Sequence, residues 1–290
     1  MAVPPLPRMT RPWPGRRALV LGLSGLIAAG LLLAAPAAVA TAGPTAGTSP
    51  AAATSAGTPY LAAHVPRARG CIRLGPGWAG VKVFWVQRTL GTTSDRDRYL
   101  ATTQQAVRDF QHRHGLPATG LVGRRTWDAL GIARGFCMDR FTVQPRLPVS
   151  AGPKERIRTM LAWARAQVGR RYVWSGAGPL GYDCSGLALQ AMHAAGLVLP
   201  TVTTFEHQHS DFPTATAIRD SGLQRVSFAD RRRGDFVYWA GGPGGGVTHM
   251  ALYLGHDRVI EAVRPRIRVA SVWSHSVPLE SYVVRPFPVP

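Results

Sequence analysis

Lysine is almost missing from this 290-residue chain: Lys82 and Lys154 are its only two, and arginine carries the rest of the positive charge. Acids are scarce as well, fifteen against 34 basic residues, for a formal charge of +19. Such a balance argues against a cationic partner and for an anionic one: nucleic acid, anionic lipid or an acidic polymer of the cell envelope. Cysteine is limited to three, an odd number that in an oxidising compartment leaves one thiol reactive or joined to another chain. No internal repeat is visible. The run Gly241-Gly242-Pro243-Gly244-Gly245-Gly246 lacks the Lys-Ser/Thr of a phosphate loop and reads as a connection between strands.

One long apolar run is present, and it sits at the start. Arg8, Arg11, Arg16 and Arg17, without an acid among them, precede ALVLGLSGLIAAGLLLAA, then Pro36 and Ala38-Val39-Ala40. This is the pattern of a secretory signal over 1–40 ending in a small-x-small cleavage site. The alternative is an uncleaved membrane anchor, since 18 apolar residues can span a bilayer. Removing 1–40 leaves the chain strongly basic. A secreted basic protein rarely meets DNA, so a wall or surface polymer becomes the expected partner, with no nucleic acid.

Residues 41–70 begin as Ala/Thr/Gly/Pro low complexity and read as a flexible linker. A second proline-rich break gives a linker over 138–153. Between them, 71–137 is a small helical unit. Val81–Leu90 forms one helix. Thr102-x-x-Gln105 is a capping box that opens a second, ending at Gly115. A third runs over Thr126–Leu130 and stops at Gly131. A bundle this small needs a staple. Pairing Cys71 with Cys137 frames it, leaves Cys184 free, and contributes roughly 4 kcal/mol in the chain-entropy model.

The stretch AVRDFQHRHGLPATGLVGRRTWDALG resembles the second half of the three-helix peptidoglycan-binding domain. Ala106-Val107, Phe110-Gln111, Gly115-Leu116-Pro117, Gly120, Gly123 and Thr126-Trp127 carry the likeness. The first half departs: where that family has an Asp-Gly-x-Phe-Gly turn, this chain has Arg96-Asp97-Arg98-Tyr99-Leu100. A helical spacer is the other reading of this unit.

Residues 154–290 start with an amphipathic helix (Ile157, Met160, Leu161, Ala164, Val168) ending at Gly169, then a helix opening at Cys184 and ending at Gly196. Strand patterns follow at 235–240, 247–254, 258–263, 267–272 and 282–285. Helices followed by an antiparallel sheet make an α+β class.

Cys184 stands at a helix start, where a thiol pKa falls; a nearby imidazolium lowers it further. His249 lies on an alternating strand with Val247, Ala251 and Tyr253, either as a satisfied core group or as that partner. With a hairpin loop at Gly255–Asp257, residue 254 pairs with 258 and 251 with 261. Glu261 then shares the His249 face on a diagonal of about 7–8 Å. A carboxylate in Val-Ile-Glu-Ala-Val needs a partner unless it is an edge-strand surface acid.

Four motifs in order, YVWSGAGPLGYDCSGL, Gly196-Leu197-x-Leu199-Pro200, Gly234-Asp235-Phe236 and Thr248-His249-Met250-Ala251-Leu252-Tyr253-Leu254-Gly255, resemble the NlpC-type peptidoglycan cysteine peptidases. The resemblance implies a papain-like domain over 154–290 and hydrolysis of wall stem peptides, typically at the γ-D-glutamyl–meso-diaminopimelate bond. It implies Cys184 as nucleophile, His249 as base and Glu261 as the third group. Tyr172 falls on the tyrosine lining the nucleophile pocket, and Asp183 and Ser185 flank the nucleophile. Asp183 reads equally as a helix cap. The family's Gly-Gly is Ser175-Gly176 here. His207-x-His209 and His112-x-His114 lack a third ligand and read as surface histidines. No metal or organic cofactor is needed. The expected protein is a monomeric bacterial wall hydrolase, secreted or wall-associated, touching a membrane only through an uncleaved signal. An amidase or acyltransferase with the same three residues, and a non-catalytic wall-binding protein, are the rival readings.

Overall fold

The computed structural model describes residues 57–92, 97–241 and 246–289. The signal segment, the low-complexity run to 56 and most of the six-residue Gly/Pro connection lie outside the described residues. Among the described residues, no helix is long and apolar enough to cross a membrane.

The helical unit holds α1 (Val81–Leu90), α2 (Ala101–Arg113) and α3 (Arg124–Ala129). They enclose a core of Ile72, Val83, Val86, Val107, Val122 and Trp127. The second helix begins two residues earlier than the capping box predicts. Helix α2 starts at Ala101, with extended Leu100 as its cap, so Thr102 and Gln105 fall inside the helix, and the Gln105 side chain donates to Asp109. Cys71 and Cys137 are joined in a disulfide, and Cys184 is the free cysteine. Beside that bridge Lys82, fully buried, ion-pairs with Asp139 at 3.2 Å and donates to the Ile72 carbonyl. Its ammonium also lies 3.5 Å from the Phe136 ring centroid. Burial lowers the Lys82 pKa to about 8 against the pull of Asp139.

The larger part packs α4 (Pro153–Arg165), α5 (Cys184–Ala194) and α6 (Thr214–Arg219) against a six-stranded antiparallel sheet. Its strands are β3 (Gln224–Ser227), β4 (Phe236–Ala240), β5 (Val247–Gly255), β6 (Arg258–Ala262), β7 (Ile267–Ser271) and β8 (Tyr282–Arg285), in the order β3-β8-β4-β5-β6-β7. The expected mixture of helix and antiparallel sheet is what forms. Helix α5 is buried on nearly every side, which its small apolar run LALQAM permits. The sheet is two-faced: Tyr238, Met250, Leu252 and Ile260 face the helices, and Trp239, Ala251, Tyr253 and Val259 form a core on the other side.

Neither expected linker is loose where it is described. Two short strands, β1 (Tyr60–Leu61) and β2 (Leu197–Val198), pair antiparallel, and Val65 is buried. Val143 enters the main core, and its N–H donates to Gln190. Buried Arg156 donates to the carbonyls of Pro148, Val149, Ala151 and Ala195, so the 148–151 backbone is tied to the end of α5. The composition pattern missed this because a few apolar residues and one guanidinium supply the contacts.

The helical unit rests on the larger part through the turn that departs from its family pattern. Asp97, with φ 67°, accepts the Trp174 N–H at 3.2 Å and faces Arg264 at 3.4 Å. Ala79 donates to the Gln208 carbonyl. At Gly80, φ 93°, an added Cβ would stand 2.7 Å from the Ser175 carbonyl oxygen, so only glycine allows this approach.

Candidate active site

Helix α5 begins at Cys184 because Asp183 caps it. The Asp183 carboxylate accepts from the N–H of Gly186 at 2.8 Å, from the Ser185 hydroxyl at 3.1 Å and from the N–H of Ser175 at 2.9 Å. A Cβ on Gly186 would lie 2.1 Å from the Gly176 carbonyl oxygen, which accounts for the glycine two residues after the cysteine. Ser175 holds a left-handed φ of 51° where the related pattern has glycine.

Asp183 also meets His207, Nε2 to Oδ1 at 3.2 Å. This corrects the reading of His207 as a surface histidine: it is buried, with Nδ1 on the Thr214 hydroxyl. Burial works against charge on both partners, yet their attraction raises the His207 pKa and lowers that of Asp183. His112, His114 and His209 are exposed, as expected. With their polar atoms engaged this way, Asp183 is a cap and ion-pair partner, and buried Ser185 serves the same cap. Both also line the cavity that holds Cys184 and His249.

The backbone N–H groups of Met250, the residue after His249, and of Ser185 and Cys184 at the helix start favour the Cys184 thiolate. Cys184, His249, Tyr172, Trp174, Arg98 and Arg264 line one cavity of about 580 Å³. Tyr172 lies beneath the Arg264 guanidinium, 5.1 Å from its ring centroid, and burial with the charge of Asp183 raises its pKa. The thiol departs from expectation. Burial, then the charge of Asp183, pushes it up to about 12, outweighing the helix-start N–H groups.

His249 donates from Nε2 to Glu261 Oε2 at 2.9 Å. Glu261 is completely buried on the interior strand β6, not on an edge. Burial alone would raise its pKa; hydrogen bonds from His249 and His275, and then Arg268, bring it down to about 2. An ionised carboxylate only accepts, so Nε2 of His249 carries the proton and Nδ1 keeps a lone pair. That is the tautomer a base needs.

The hairpin that sets this pair is not the one expected. Its turn is two residues, His256 and Asp257, both at positive φ, between Gly255 and Arg258. A bulge between Tyr253 and Gly255 adds one residue to β5. The shorter turn and the extra residue offset each other. Leu252 therefore still faces Ile260, and Glu261 stays on the His249 face.

Two partners of Glu261 escaped the sequence. Arg268, across from it on β7, donates from Nε to Oε1 at 2.9 Å. His275, in the segment between β7 and β8, meets Oε2 at 2.5 Å. Its lone position in Trp-Ser-His-Ser-Val-Pro carries no periodic signal.

Residues 169–284 match the NlpC/P60 family model, and residues 87–130 match the model described as "Putative peptidoglycan binding domain". The peptidoglycan endopeptidase RipA of Mycobacterium tuberculosis is 28% identical over 187 residues, covering 58% of this chain and 36% of RipA. The peptidoglycan endopeptidase RipB of the same organism is 28% identical over 159 residues, covering 49% of this chain and 59% of RipB. The chain therefore spans less than two thirds of either relative. Among solved structures, RipD of M. tuberculosis, a non-catalytic NlpC/p60 domain protein, aligns at 24% identity over 45% of this chain and 96% of RipD, with a TM-score of 0.34. With its cysteine at a helix start, its histidine on a neighbouring strand and the match that contains both, the segment 169–284 is an NlpC/P60 family domain, preceded at 87–130 by a domain of the peptidoglycan-binding family.

Proposed function

We propose that this protein is a peptidoglycan endopeptidase that cleaves stem peptides, at the γ-D-glutamyl–meso-diaminopimelate bond, by thiol chemistry. The observation that carries the reading is the shared cavity of Cys184 and His249, with Glu261 holding the imidazole in its base tautomer. In this reading the thiol is protonated at rest. Cys184 attacks the amide carbonyl as Nδ1 of His249 takes the thiol proton. His249 then returns that proton to the leaving amine, and water, activated by the same imidazole, hydrolyses the thioester. The N–H groups of Cys184 and Ser185 at the start of α5 serve as oxyanion donors. Glu261 does not touch substrate; it fixes His249 and favours the imidazolium that forms. Tyr172 and Trp174 line the substrate side of the cavity.

The same reading has the protein exported by its N-terminal segment, cleaved after Ala40, and held near the wall by its basic helical unit of residues 71–137. That RipA and RipB are named as peptidoglycan endopeptidases supports the activity; the name of RipD marks the alternative. The test is the mass of fragments released from defined muropeptides by the full chain and by Cys184→Ser. Thiol-dependent release of a fragment split after γ-D-glutamate is expected. Loss of L-alanine from the sugar would make it an amidase. No release would leave a wall-binding protein.

A further inference from the structure

Glu261 receives two imidazoles on one oxygen. Nε2 of His249 stands 2.9 Å and Nε2 of His275 stands 2.5 Å from Oε2, while Arg268 takes Oε1. The ligand atoms of the three residues all lie within 4.8 Å of one another. Two histidines and a carboxylate make a known set for zinc, which binds such atoms at about 2.0–2.2 Å. We propose that His249, Glu261 and His275 form a site for a divalent transition metal, zinc foremost, and that occupation of this site switches the thiol chemistry off.

Three features favour a site over a mere hydrogen-bond cluster. The carboxylate is buried while both imidazoles keep some exposure, so an ion has a hard anchor inside and an approach from outside. The second layer is already in place: Trp239 packs against both rings, 5.0 Å from His249 and 4.7 Å from His275, and Arg268 orients the carboxylate. His275 sits in the segment between strands, so it can close the widest separation, by about 1.5 Å, to the roughly 3.3 Å spacing a tetrahedral ion requires. Two imidazoles with one carboxylate suit zinc better than calcium or magnesium, which take oxygen ligands. The charge of Arg268 opposes the ion, but its guanidinium engages only Oε1 and is half exposed, which leaves Oε2 to the metal and screens the repulsion.

The consequence for chemistry follows from the tautomer. With Nε2 donated to Glu261, Nδ1 of His249 holds the lone pair. With Nε2 bound to the metal, the ring proton moves to Nδ1, and no lone pair remains to accept the Cys184 proton. This switching half rests on the reading of His249 as base; the site itself does not.

The test separates the two. Full-length Cys184→Ser protein, which has no free thiol, is titrated with Zn²⁺ by calorimetry, and with Co²⁺ by its visible absorption. One ion per chain, with tetrahedral cobalt bands and at least tenfold weaker binding in His275→Gln and His275→Ala, is expected. No stoichiometric binding, or equal affinity in both folded His275 variants, overturns the site. With the cysteine present, Zn²⁺ should inhibit muropeptide hydrolysis reversibly to EDTA, and His275→Gln should need at least tenfold more. Equal inhibition midpoints would place the metal on the Cys184 thiol and overturn the switch.

Discussion

His249 and Glu261 lie on adjacent strands with Nε2 and Oε2 2.9 Å apart, and the carboxylate is sealed from solvent. Removing such an orienter takes away the tautomer, not the substrate. We expect Glu261→Ala to lower kcat by about 10²-fold or more, a general acid–base loss, with KM changed little. Glu261→Gln, which keeps an acceptor but not the charge, should fall between, and His249→Ala should be inactive. Steady-state hydrolysis of one defined muropeptide, with circular dichroism to check folding, decides it. Wild-type turnover in a folded Glu261→Ala would move the third group elsewhere.

The same carboxylate makes the fold acid-labile. Its pKa falls from 4.5 unfolded to about 2 folded, so the unfolded state binds the extra proton between those values. The contribution is fully present above pH 4.5 and is lost as pH drops towards 2. Its size is of order 3 kcal/mol. Chemical denaturation at pH 7, 4 and 3 should show this loss in the native chain and a much shallower one in Glu261→Gln. Parallel curves would mean that the carboxylate carries no such linkage.

Cys184 should alkylate slowly at neutral pH despite its helix-start position, because burial and Asp183 hold it protonated, up to about 12. Its rate with iodoacetamide should climb throughout pH 7–10, with Cys71 and Cys137 unlabelled. A plateau near pH 6 would instead reveal a preformed thiolate–imidazolium pair.

Gly80 is where the helical unit meets the Ser175 carbonyl, at a φ only glycine takes easily. Gly80→Ala should cost about 1–3 kcal/mol of stability from the backbone conformation alone, with the 2.7 Å contact adding to it. A thermal midpoint within a degree of wild type would show that the approach is not constrained.

Retention on purified peptidoglycan should weaken with salt. Residues 71–137 hold ten basic and four acidic side chains, and exposed charges are screened by added ions. Full-length Cys184→Ser should co-sediment with peptidoglycan at 50 mM salt and markedly less at 500 mM. Retention indifferent to salt would remove electrostatics as the cause.

Much of this architecture was legible in residue order. Periodicity placed α1 and β8 to the residue, α2 to α5 and β4 to β7 to within a few, and missed α6 and β3. The oxidising context and an odd cysteine count pointed to the 71–137 pair, and the Asp-Cys-Ser-Gly run marked a helix start. These are local properties: spacing of apolar residues, caps and glycines act within a few residues of themselves. What the chain order could not carry is what depends on distant segments meeting. The Asp183–His207 pair joins a helix cap to a loop two dozen residues on. Arg268 and His275 reach Glu261 only because β6 and β7 pair and the following segment folds back. The face of Glu261 hung on a single residue, since a turn one shorter than expected would have turned it away had a bulge not offset it. Burial, which set the thiol high, and the hydrogen bonds from His249, His275 and Arg268, which hold the carboxylate low against its own burial, exist only once the sheet and helices have closed around those groups.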